Sequence, residues 1–270
     1  MRHSNHARAS SEKHRNRQKP GAHGPGKAYW LFGTHAVSAA IRNKNRTILQ
    51  VLATEDAASA LRKTSGTPGA PIRVEIGLLD PRSLPPGLAE RAVHQGLVAQ
   101  VLPLPEPDAA LLEDPTTRLV VVLDQVTDPQ NIGTILRNCA VFGVDAVVAP
   151  RHHTPGETGA LAKAASGALE IVPVIRVANL SRTIDRMKKA GFFVIGLDGN
   201  AQTAIADYAP LGRCALVAGA EGSGLRRLVS ENCDATAALP VAERARAGGV
   251  DSLNVGVAIA VALHELVRHQ

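Results

Sequence analysis

The second half of the chain alternates between short apolar runs and amphipathic segments. The clearest run, residues 118–124, is nearly continuous in Leu and Val, which is typical of a parallel strand buried on both faces. The further predicted strands are 145–149, 171–177, 192–197, 214–219 and 235–240, and the predicted helices are 131–142, 158–166, 180–190, 225–230 and 252–267. This alternation predicts an α/β domain with a parallel sheet over residues 118–270. Its ligand chemistry is expected at the carboxyl ends of the strands.

The preceding residues, 28–102, predict a smaller α/β unit. Its helices are predicted over 33–43 and 56–63, and its strands over 48–54, 71–77 and 96–102. The stretch 103–117 follows, with four prolines and four acidic residues. That composition is typical of a linker between two domains.

Charge is concentrated at the N-terminal end. Residues 1–27 carry seven basic side chains and one acidic side chain, whereas the rest of the chain carries 23 of each. Such a segment cannot bury enough apolar surface to fold alone, so we predict a disordered basic tail. It is typical of arms that bind nucleic-acid phosphates, although a solubilising tail is the alternative. A mitochondrial transit peptide is disfavoured, because no Leu, Ile, Val or Phe precedes Leu31.

Composition narrows the class of protein further. There is neither an apolar run of about 18 residues nor a secretory leader pattern, so we expect a cytoplasmic protein without a membrane span. The three cysteines, Cys139, Cys214 and Cys233, form no CxxC pair and are predicted to be reduced thiols in the core. His152-His153 is predicted to be a solvated pair, and no metal is expected.

The loop after strand 118–124 carries the first candidate chemistry. It runs Asp124-Gln125-Val126-Thr127-Asp128-Pro129-Gln130-Asn131-Ile132-Gly133. Pro129 and Asn131 suit a turn and a helix cap. Arg137 stands in an otherwise apolar helical segment, where it is either a snorkelling surface side chain or a functional group.

A glycine-rich segment, Gly219-Ala220-Glu221-Gly222-Ser223-Gly224, follows strand 214–219. Glycines let a backbone approach a ligand closely, and a helix start offers free N–H groups. The order is GxxGxG, which differs from the dinucleotide-binding GxGxxG, and an ordinary strand–turn–helix connection is an equal interpretation. Glu221 argues against a phosphate seated directly on this loop.

The third segment, Asp251-Ser252-Leu253-Asn254-Val255, begins the last helix. Asp251 or Ser252 is the expected N-cap of that helix. Asn254 lies in an apolar first turn, where a buried amide needs hydrogen-bond partners.

Together the three segments resemble the motifs of a known family. In chain order the matching residues are Asn131-Ile132-Gly133 with Arg137, then Gly219-Ala220-Glu221-Gly222, then Leu239-Pro240 followed by Ser252-Leu253-Asn254-Val255. Over residues 118–268 the chain is similar to the SpoU family of RNA ribose 2′-O-methyltransferases, within the knotted SPOUT superfamily. One departure is the longer loop 241–251, which contains Arg244 and Arg246.

The first unit carries a second resemblance. The matching residues are Phe32-Gly33-Thr34-His35-Ala36-Val37 and His94-Gln95-Gly96-Leu97-Val98-Ala99. They resemble the substrate-binding domain of the subgroup that methylates a guanosine in 23S ribosomal RNA, a domain similar to a small RNA-binding ribosomal protein. The resemblance therefore implies a tail over 1–27, an RNA-binding domain over 28–102, a linker over 103–117 and a methyltransferase domain over 118–270.

The resemblance also implies a trefoil knot, a homodimer with the active site at the subunit interface, and S-adenosylmethionine as cofactor. The adenosine moiety would bind the backbone of Gly219, Leu239 and Leu253. Arg137 would lie near the 2′-hydroxyl. We expect it to orient and stabilise rather than to act as the base, because a guanidinium rarely loses its proton. The other implied catalytic residues are Asn131, Glu221, Ser252 and Asn254, with Glu221 holding Asn131 or Arg137.

Two alternatives remain open on the sequence, and a third fails. A non-catalytic RNA-binding or ribosome-assembly protein would share the tail and the first unit, but would not need the candidate residues of all three segments. A nucleotide-dependent oxidoreductase would need GxGxxG after the first strand of the fold, where this chain has 124–133. Transfer RNA is the alternative substrate to ribosomal RNA.

Overall fold

The computed structural model of the protein describes residues 26–64, 74–89, 92–208 and 212–268. These residues form a four-stranded sheet followed along the chain by a six-stranded sheet. The predicted basic tail lies outside the described residues except for its last two, and so does 71–73 of the predicted strand 71–77.

The first sheet has the strand order β1-β4-β2-β3, in which β4 is antiparallel to β1 and β2, and β2 is parallel to β3. The elements of this unit are β1 (Tyr29–Phe32), α1 (Thr34–Arg42), β2 (Ile48–Ala53), α2 (Glu55–Thr64), β3 (Ile76–Leu78) and β4 (Leu97–Val101). The predicted helices and the strands 48–54 and 96–102 are confirmed. Strand β1 was not predicted. The chain turns from it into α1 at Gly33, whose φ of 92° favours glycine.

The second sheet is parallel throughout, with the order β10-β8-β9-β5-β6-β7. Its strands are β5 (Leu119–Leu123), β6 (Ala146–Pro150), β7 (Val174–Val177), β8 (Phe193–Leu197), β9 (Cys214–Ala218) and β10 (Ala235–Ala237). Its helices are α3 (Pro129–Val141), α4 (Gly159–Ala165), α5 (Leu180–Lys189), α6 (Arg227–Asn232), α7 (Glu243–Ala247) and α8 (Val255–Val267). The predicted parallel α/β fold is confirmed, and α7 is an unpredicted helix within the long loop 241–251.

Helices cover both faces of the parallel sheet. Val120 and Val122 of β5 join a core with α5 and α6, whereas Val121 and Leu123 join the core with α3, α4 and α8. All five residues of β5 are buried, which explains their nearly continuous apolar character.

Helices α3 and α8 lie side by side and run in the same direction. The Asn138 side chain of α3 donates to the Gly256 carbonyl at 2.8 Å, and one turn later the Phe142 ring meets the His264 ring edge-on at 6.3 Å. The start of α8 therefore lies against the middle of α3, between Thr134 and Asn138. No helix in the described ranges is long and apolar enough to cross a membrane.

The two sheets belong to one continuous hydrophobic core. Tyr29 and Leu31 of β1 pack in the same cluster as Leu161 of α4. The backbones approach so closely there that a Cβ on Gly159 would lie 2.4 Å from the Trp30 carbonyl oxygen. Glycine is therefore required at the start of α4 for the first unit to seat on the second.

A buried arginine also joins the two units. Arg46, which follows α1, has a fully buried side chain that contacts Glu157 and Glu170 at 2.6 Å each. Its Nη1 donates to the Leu102 carbonyl at 2.9 Å, and the Tyr29 hydroxyl donates to Glu157 at 2.6 Å. Burial disfavours the charge on Arg46, but the hydrogen bond to Glu170 and the surrounding oxygens outweigh it and raise the pKa of Arg46.

The stretch 103–117 contains one turn of 3₁₀ helix, Ala109–Glu113. The Asp108 side chain caps this turn by accepting from the Ala110 N–H at 2.9 Å. Thr117 is buried and donates its hydroxyl to the Leu111 carbonyl at 2.8 Å. Although it is rich in prolines and acidic residues, the stretch 103–117 therefore has a defined backbone conformation and packs beside the sheet.

Candidate active site

The loop after β5 is built around a buried carboxylate. Asp124 has no exposed surface, and its oxygens accept from the backbone N–H and the Nε of Arg226 at 2.9 and 2.7 Å. Asp128 caps α3 by accepting from the Gln130 N–H at 2.9 Å. The predicted cap, Asn131, instead lies inside the first turn of α3, so its amide is available for other contacts.

Gly133 of the same motif serves packing between helices. It is buried in α3, and a Cβ there would lie 2.6 Å from the Leu161 carbonyl oxygen and 2.5 Å from the Ala164 Cβ, both in α4. Glycine thus lets α4 approach α3 and fixes the direction in which α3 leaves the sheet.

Three side chains from the three predicted segments meet at the carboxyl edge of the parallel sheet. Oε1 of Glu221 accepts from Asn131 Nδ2 at 3.2 Å, from Asn254 Nδ2 at 2.6 Å and from the Val255 N–H at 3.2 Å. Asn254 Nδ2 also donates to Asn131 Oδ1 at 3.0 Å. We call this group the Asn–Glu–Asn cluster. It joins residues that are up to 123 positions apart in the chain.

The orientation of the Asn254 side-chain amide follows from a second set of hydrogen bonds that this residue makes. Its Oδ1 accepts from the Gly256 and Val257 N–H groups at 3.0 and 3.4 Å, so Asn254 is the N-cap of α8. Its Nδ2 therefore faces Glu221 as a donor. The expected caps Asp251 and Ser252 are wrong. Both precede the helix, and the Ser252 hydroxyl donates to Asp251 at 3.1 Å.

Arg137 does not join the Asn–Glu–Asn cluster. It lies on the exposed side of α3, and within the described residues no carboxylate lies within ion-pair distance of it. The structure therefore does not show Glu221 holding Arg137. It does show the predicted contact between Glu221 and Asn131. Arg137 remains available to a ligand or a partner chain.

The three residues expected to bind adenosine lie in connections at one edge of the sheet. Gly219 follows β9, Leu239 follows β10, and Leu253 precedes α8, with its side chain 47 % exposed. A Cβ on Gly219 would lie 2.1 Å from the Gly224 carbonyl oxygen, so the tight loop requires glycine there. Within the described ranges, none of the three backbones makes a hydrogen bond. These unpaired N–H and C=O groups fit the donors and acceptors of a purine edge.

Sequence reasoning missed Arg226 and the function of Asp124. An aspartate directly after a wholly buried strand was the available signal, because a buried carboxylate needs donors. The contact with Arg226 fixes the far end of the loop that carries Glu221.

The described residues contain no group of three or more His, Cys, Asp or Glu side chains that could hold a metal. The three cysteines are free thiols, and two of them are buried. Burial raises the pKa of Cys139 and of Cys214 to about 12 and that of Cys233 to about 11. These thiols are therefore protonated and are unsuited to act as nucleophiles.

A parallel α/β fold with a polar cluster at the carboxyl edge of its sheet defines an enzyme-type binding site. Residues 118–264 match the family model described as the SpoU rRNA Methylase family, and residues 30–107 match the model for RNA 2′-O ribose methyltransferase substrate binding. The chain belongs to the SpoU rRNA methylase family.

Curated relatives cover two thirds or more of the chain. The 23S rRNA (guanosine-2′-O-)-methyltransferase RlmB of Pseudomonas putida is 35 % identical over 245 residues, covering 89 % of this chain and 96 % of that protein. The protein of the same name from Vibrio cholerae is 42 % identical over 186 residues, covering 67 % of this chain and 73 % of that protein. Among solved structures, the SpoU methyltransferase AviRb from Streptomyces viridochromogenes, in complex with AdoMet, has a TM-score of 0.71 at 24 % identity and covers 90 % of both chains. That structure supports the fold.

Proposed function

We propose that this protein transfers a methyl group from S-adenosylmethionine to the ribose 2′-hydroxyl of a guanosine in 23S ribosomal RNA. The observation that carries the proposal is the Asn–Glu–Asn cluster, which brings the three family segments together at one edge of the sheet. The relatives named for this activity match both units of the chain at 35 % identity or more, which supports the same substrate class.

The backbones of Gly219, Leu239 and Leu253 would hold the adenosine moiety of the cofactor. Their unpaired polar groups and the exposed Leu253 side chain suit a base that needs both hydrogen bonds and apolar contact. When bound, the cofactor supplies an electrophilic methyl group on a positively charged sulfur. No metal takes part in this proposal.

The side chains of the protein would align the substrate and assist the transfer. A ribose hydroxyl is a poor nucleophile, so it must be aligned with the methyl group while its proton passes to solvent at this exposed edge of the sheet. Arg137 would hold the hydroxyl and the adjacent phosphate through its planar donors. The Asn–Glu–Asn cluster would fix the loops around them, and Ser252 would contact the substrate beside Asn254.

The RNA partner would be bound by several parts of the chain. We assign residues 28–102 to an RNA-binding domain similar to a small ribosomal protein, 103–117 to a linker, and 118–270 to the methyltransferase domain. The predicted basic tail, 1–27, would add phosphate contacts. Ribosomal RNA as substrate implies that the protein works in the cytoplasm.

We also propose that two copies associate through the α3–α8 pair. The outer side of this pair exposes Val141, Val257 and Val261, and Val141 is 72 % exposed. Arg137 lies one turn before Val141 on the same side of α3, so a second copy seated there would place Arg137 at the interface. This would explain why an arginine without a carboxylate partner lies beside apolar side chains.

The family's trefoil knot would involve the segment from β10 through α8. This segment brings Leu239 and Leu253 to the same edge as Gly219. Its last helix is held against α3 by the hydrogen bond from Asn138 to the Gly256 carbonyl.

The test is a methylation assay with labelled S-adenosylmethionine and unmodified 23S ribosomal RNA, with transfer RNA in parallel. Wild type should label one ribose of the ribosomal RNA. Arg137→Ala should lower kcat at least about a hundredfold, because removal of electrostatic stabilisation at a reacting centre costs that much. Arg186→Ala, which removes an exposed arginine of α5, is the matched control and should retain activity.

Label only on transfer RNA would overturn the substrate. Absence of label on both RNAs, together with no binding of S-adenosylmethionine in calorimetry, would overturn the enzymatic proposal.

A further inference from the structure

A cleft opens at the carboxyl edge of the parallel sheet, outside the Asn–Glu–Asn cluster. It has a volume of about 520 Å³ and lies between the ends of β6 and β7 and the start of α6. Sites for small organic groups commonly measure about 300–1,000 Å³, so the cleft has room for one nucleotide unit. Its polar side chains come from His152, His153, Asn179, Ser181, Arg226 and Arg227.

The polar lining is rich in donors and contains no carboxylate among the described residues. The nearest acids already have partners. Asp124 holds Arg226 through Nε and the backbone N–H, and Glu231 holds Arg227 at 2.8 Å. Arg226 keeps 43 % of its side chain exposed, and the described residues supply no acceptor for its Nη groups. A cleft of this kind favours an anionic ligand that accepts several hydrogen bonds.

The rest of the lining is apolar. Pro150 and Leu180 are buried at the ends of their elements, whereas Leu228 is 60 % exposed at the mouth. The cleft thus offers both donors and apolar surface. A nucleotide can use both, because it presents a charged phosphate and a flat base with apolar faces.

One loop connects this cleft to the candidate active site. The segment from Gly219 to Arg226 begins at the end of β9, places Glu221 in the Asn–Glu–Asn cluster, and ends with Arg226 in the cleft. Asp124 anchors that end, and the same β5 loop leads to Asn131. A chain of nucleotides lying along this edge of the sheet would therefore meet both places.

We propose that the cleft binds a nucleotide of the RNA substrate next to the one that is methylated, with its phosphate on Arg226 and Arg227 and its base against Leu228. The inference rests on the proposed function, because it takes the bound polynucleotide to be the methyl acceptor. Phosphate contacts fix the register of a nucleic acid on a protein, so the cleft would set which ribose reaches Arg137.

The test uses the full chain with unmodified 23S ribosomal RNA. Arg227→Ala, alone and combined with His152→Ala and His153→Ala, removes exposed donors and leaves the buried Asp124–Arg226 contact in place. Filter binding should show the Kd for RNA raised about tenfold in the triple variant, with a less steep dependence on salt, because fewer phosphates are neutralised. In the methylation assay the KM for RNA should rise, while calorimetric affinity for S-adenosylmethionine stays unchanged.

Arg186→Ala is the matched control, since it also loses one exposed ion pair with a glutamate. A triple variant that binds RNA with the same Kd and the same salt dependence as the wild type would overturn the proposal. Weakened binding of S-adenosylmethionine in the variant would assign the cleft to the cofactor instead. A wild-type protein that binds RNA without methylating it would refute the proposed function, and the Kd comparison would still decide the cleft. A wild type that binds no RNA would refute both.

Discussion

At the scale of single residues, Glu221 is the side chain on which the site depends most. One carboxylate oxygen receives three N–H donors, two from amide side chains and one from the backbone at the start of α8. The cluster is exposed to solvent, so its contribution to the stability of the fold is small, and its main effect is on the relative position of the loops.

Substitution of Glu221 should therefore affect turnover more than stability. Glu221→Gln keeps an acceptor oxygen but loses the charge, and we expect kcat/KM to fall about tenfold, corresponding to about 1.4 kcal/mol. Glu221→Ala leaves all three donors without the carboxylate and should cost about a hundredfold. Steady-state methylation kinetics and thermal unfolding of the same samples measure both effects.

Glu113→Gln is the control, because Glu113 forms an exposed pair with Arg186 on α5. Loss of thermal stability in parallel with activity in the Glu221 variants would show that the residue supports the fold rather than the site.

The buried thiol of Cys139 should make the free energy of unfolding depend on pH in a known direction. Burial raises its pKa to about 12 in the folded chain, whereas an unfolded thiol titrates near about 8.5. The stabilisation is complete below about pH 8.5 and is lost as the pH rises toward 12, because only the unfolded chain releases the proton there. Over this range each such thiol lowers the free energy of unfolding by about 1.4 kcal/mol per pH unit.

Urea unfolding at pH 8 to 10.5 checks this expectation. Cys139→Ala should lose stability at neutral pH but show a flatter decline in alkali. Ile135→Val, in the same helix and equally buried, has no titrating group and should shift the curve by the same amount at every pH. Equal slopes for wild type and Cys139→Ala would contradict the assignment.

At this scale the sequence predicted that the three segments lie together better than it predicted their individual contacts. Asn131, Glu221 and Asn254 were candidate residues, and their side chains do meet. The caps were predicted wrongly because Asp, Asn and Ser all cap helices, and a pattern alone cannot say which of several neighbours is used. Glu221 determines which side chains are used, because it accepts hydrogen bonds from both Asn131 and Asn254, which lie 123 positions apart in the chain. Arg226 was missed because its partner, Asp124, lies 102 positions away in the chain.

At the scale of elements, the α3–α8 pair links the site to the proposed association of two copies. If its exposed valines are covered by a second copy, a charge among them should separate the copies. We expect Val141→Lys and Val261→Lys to give a monomeric mass in light scattering after gel filtration, because an ammonium group buried without a partner costs several kcal/mol.

Leu78→Lys is the matched control, since Leu78 of β3 is as exposed as Val141 but lies on the other sheet. A monomeric wild type would refute the association. A dimeric Val141→Lys variant would place the interface elsewhere.

The elements themselves were largely predictable. The parallel strands were found because a strand buried on both faces is apolar along its whole length, as β5 is. Strand β1 was missed because its four residues lie between the basic tail and Gly33, with too few positions to establish a period. Helix α7 was missed because Glu243–Ala247 has only five residues and no apolar side.

At the scale of the whole molecule, Arg46 decides how firmly the first unit is fixed to the second. It is fully buried between Glu157 and Glu170, which belong to the second unit. Arg46→Met should lower the free energy of unfolding by about 3–5 kcal/mol, because two carboxylates would stay buried without their cation. The urea midpoint measures this loss.

Arg151→Met is the control, because it removes an arginine–glutamate ion pair at the surface instead of in the interior. Arg151 also contacts one glutamate through two bonds, each 2.9 Å, but both side chains are about half exposed. We expect a change within about 1 kcal/mol. An equally small effect for Arg46→Met would mean that the two units are held by their apolar core alone.

The Asn–Glu–Asn cluster has a consequence for the order in which the molecule is made. Synthesis proceeds from the N-terminus, and domains begin to fold before the chain is complete. Asn131 and Glu221 are synthesised before Asn254 and Val255, which contribute two of the three donors to the Glu221 carboxylate. A nascent chain that has not yet reached Asn254 already contains every described strand of the parallel sheet but lacks the complete cluster. The sheet can therefore form before the candidate site is assembled.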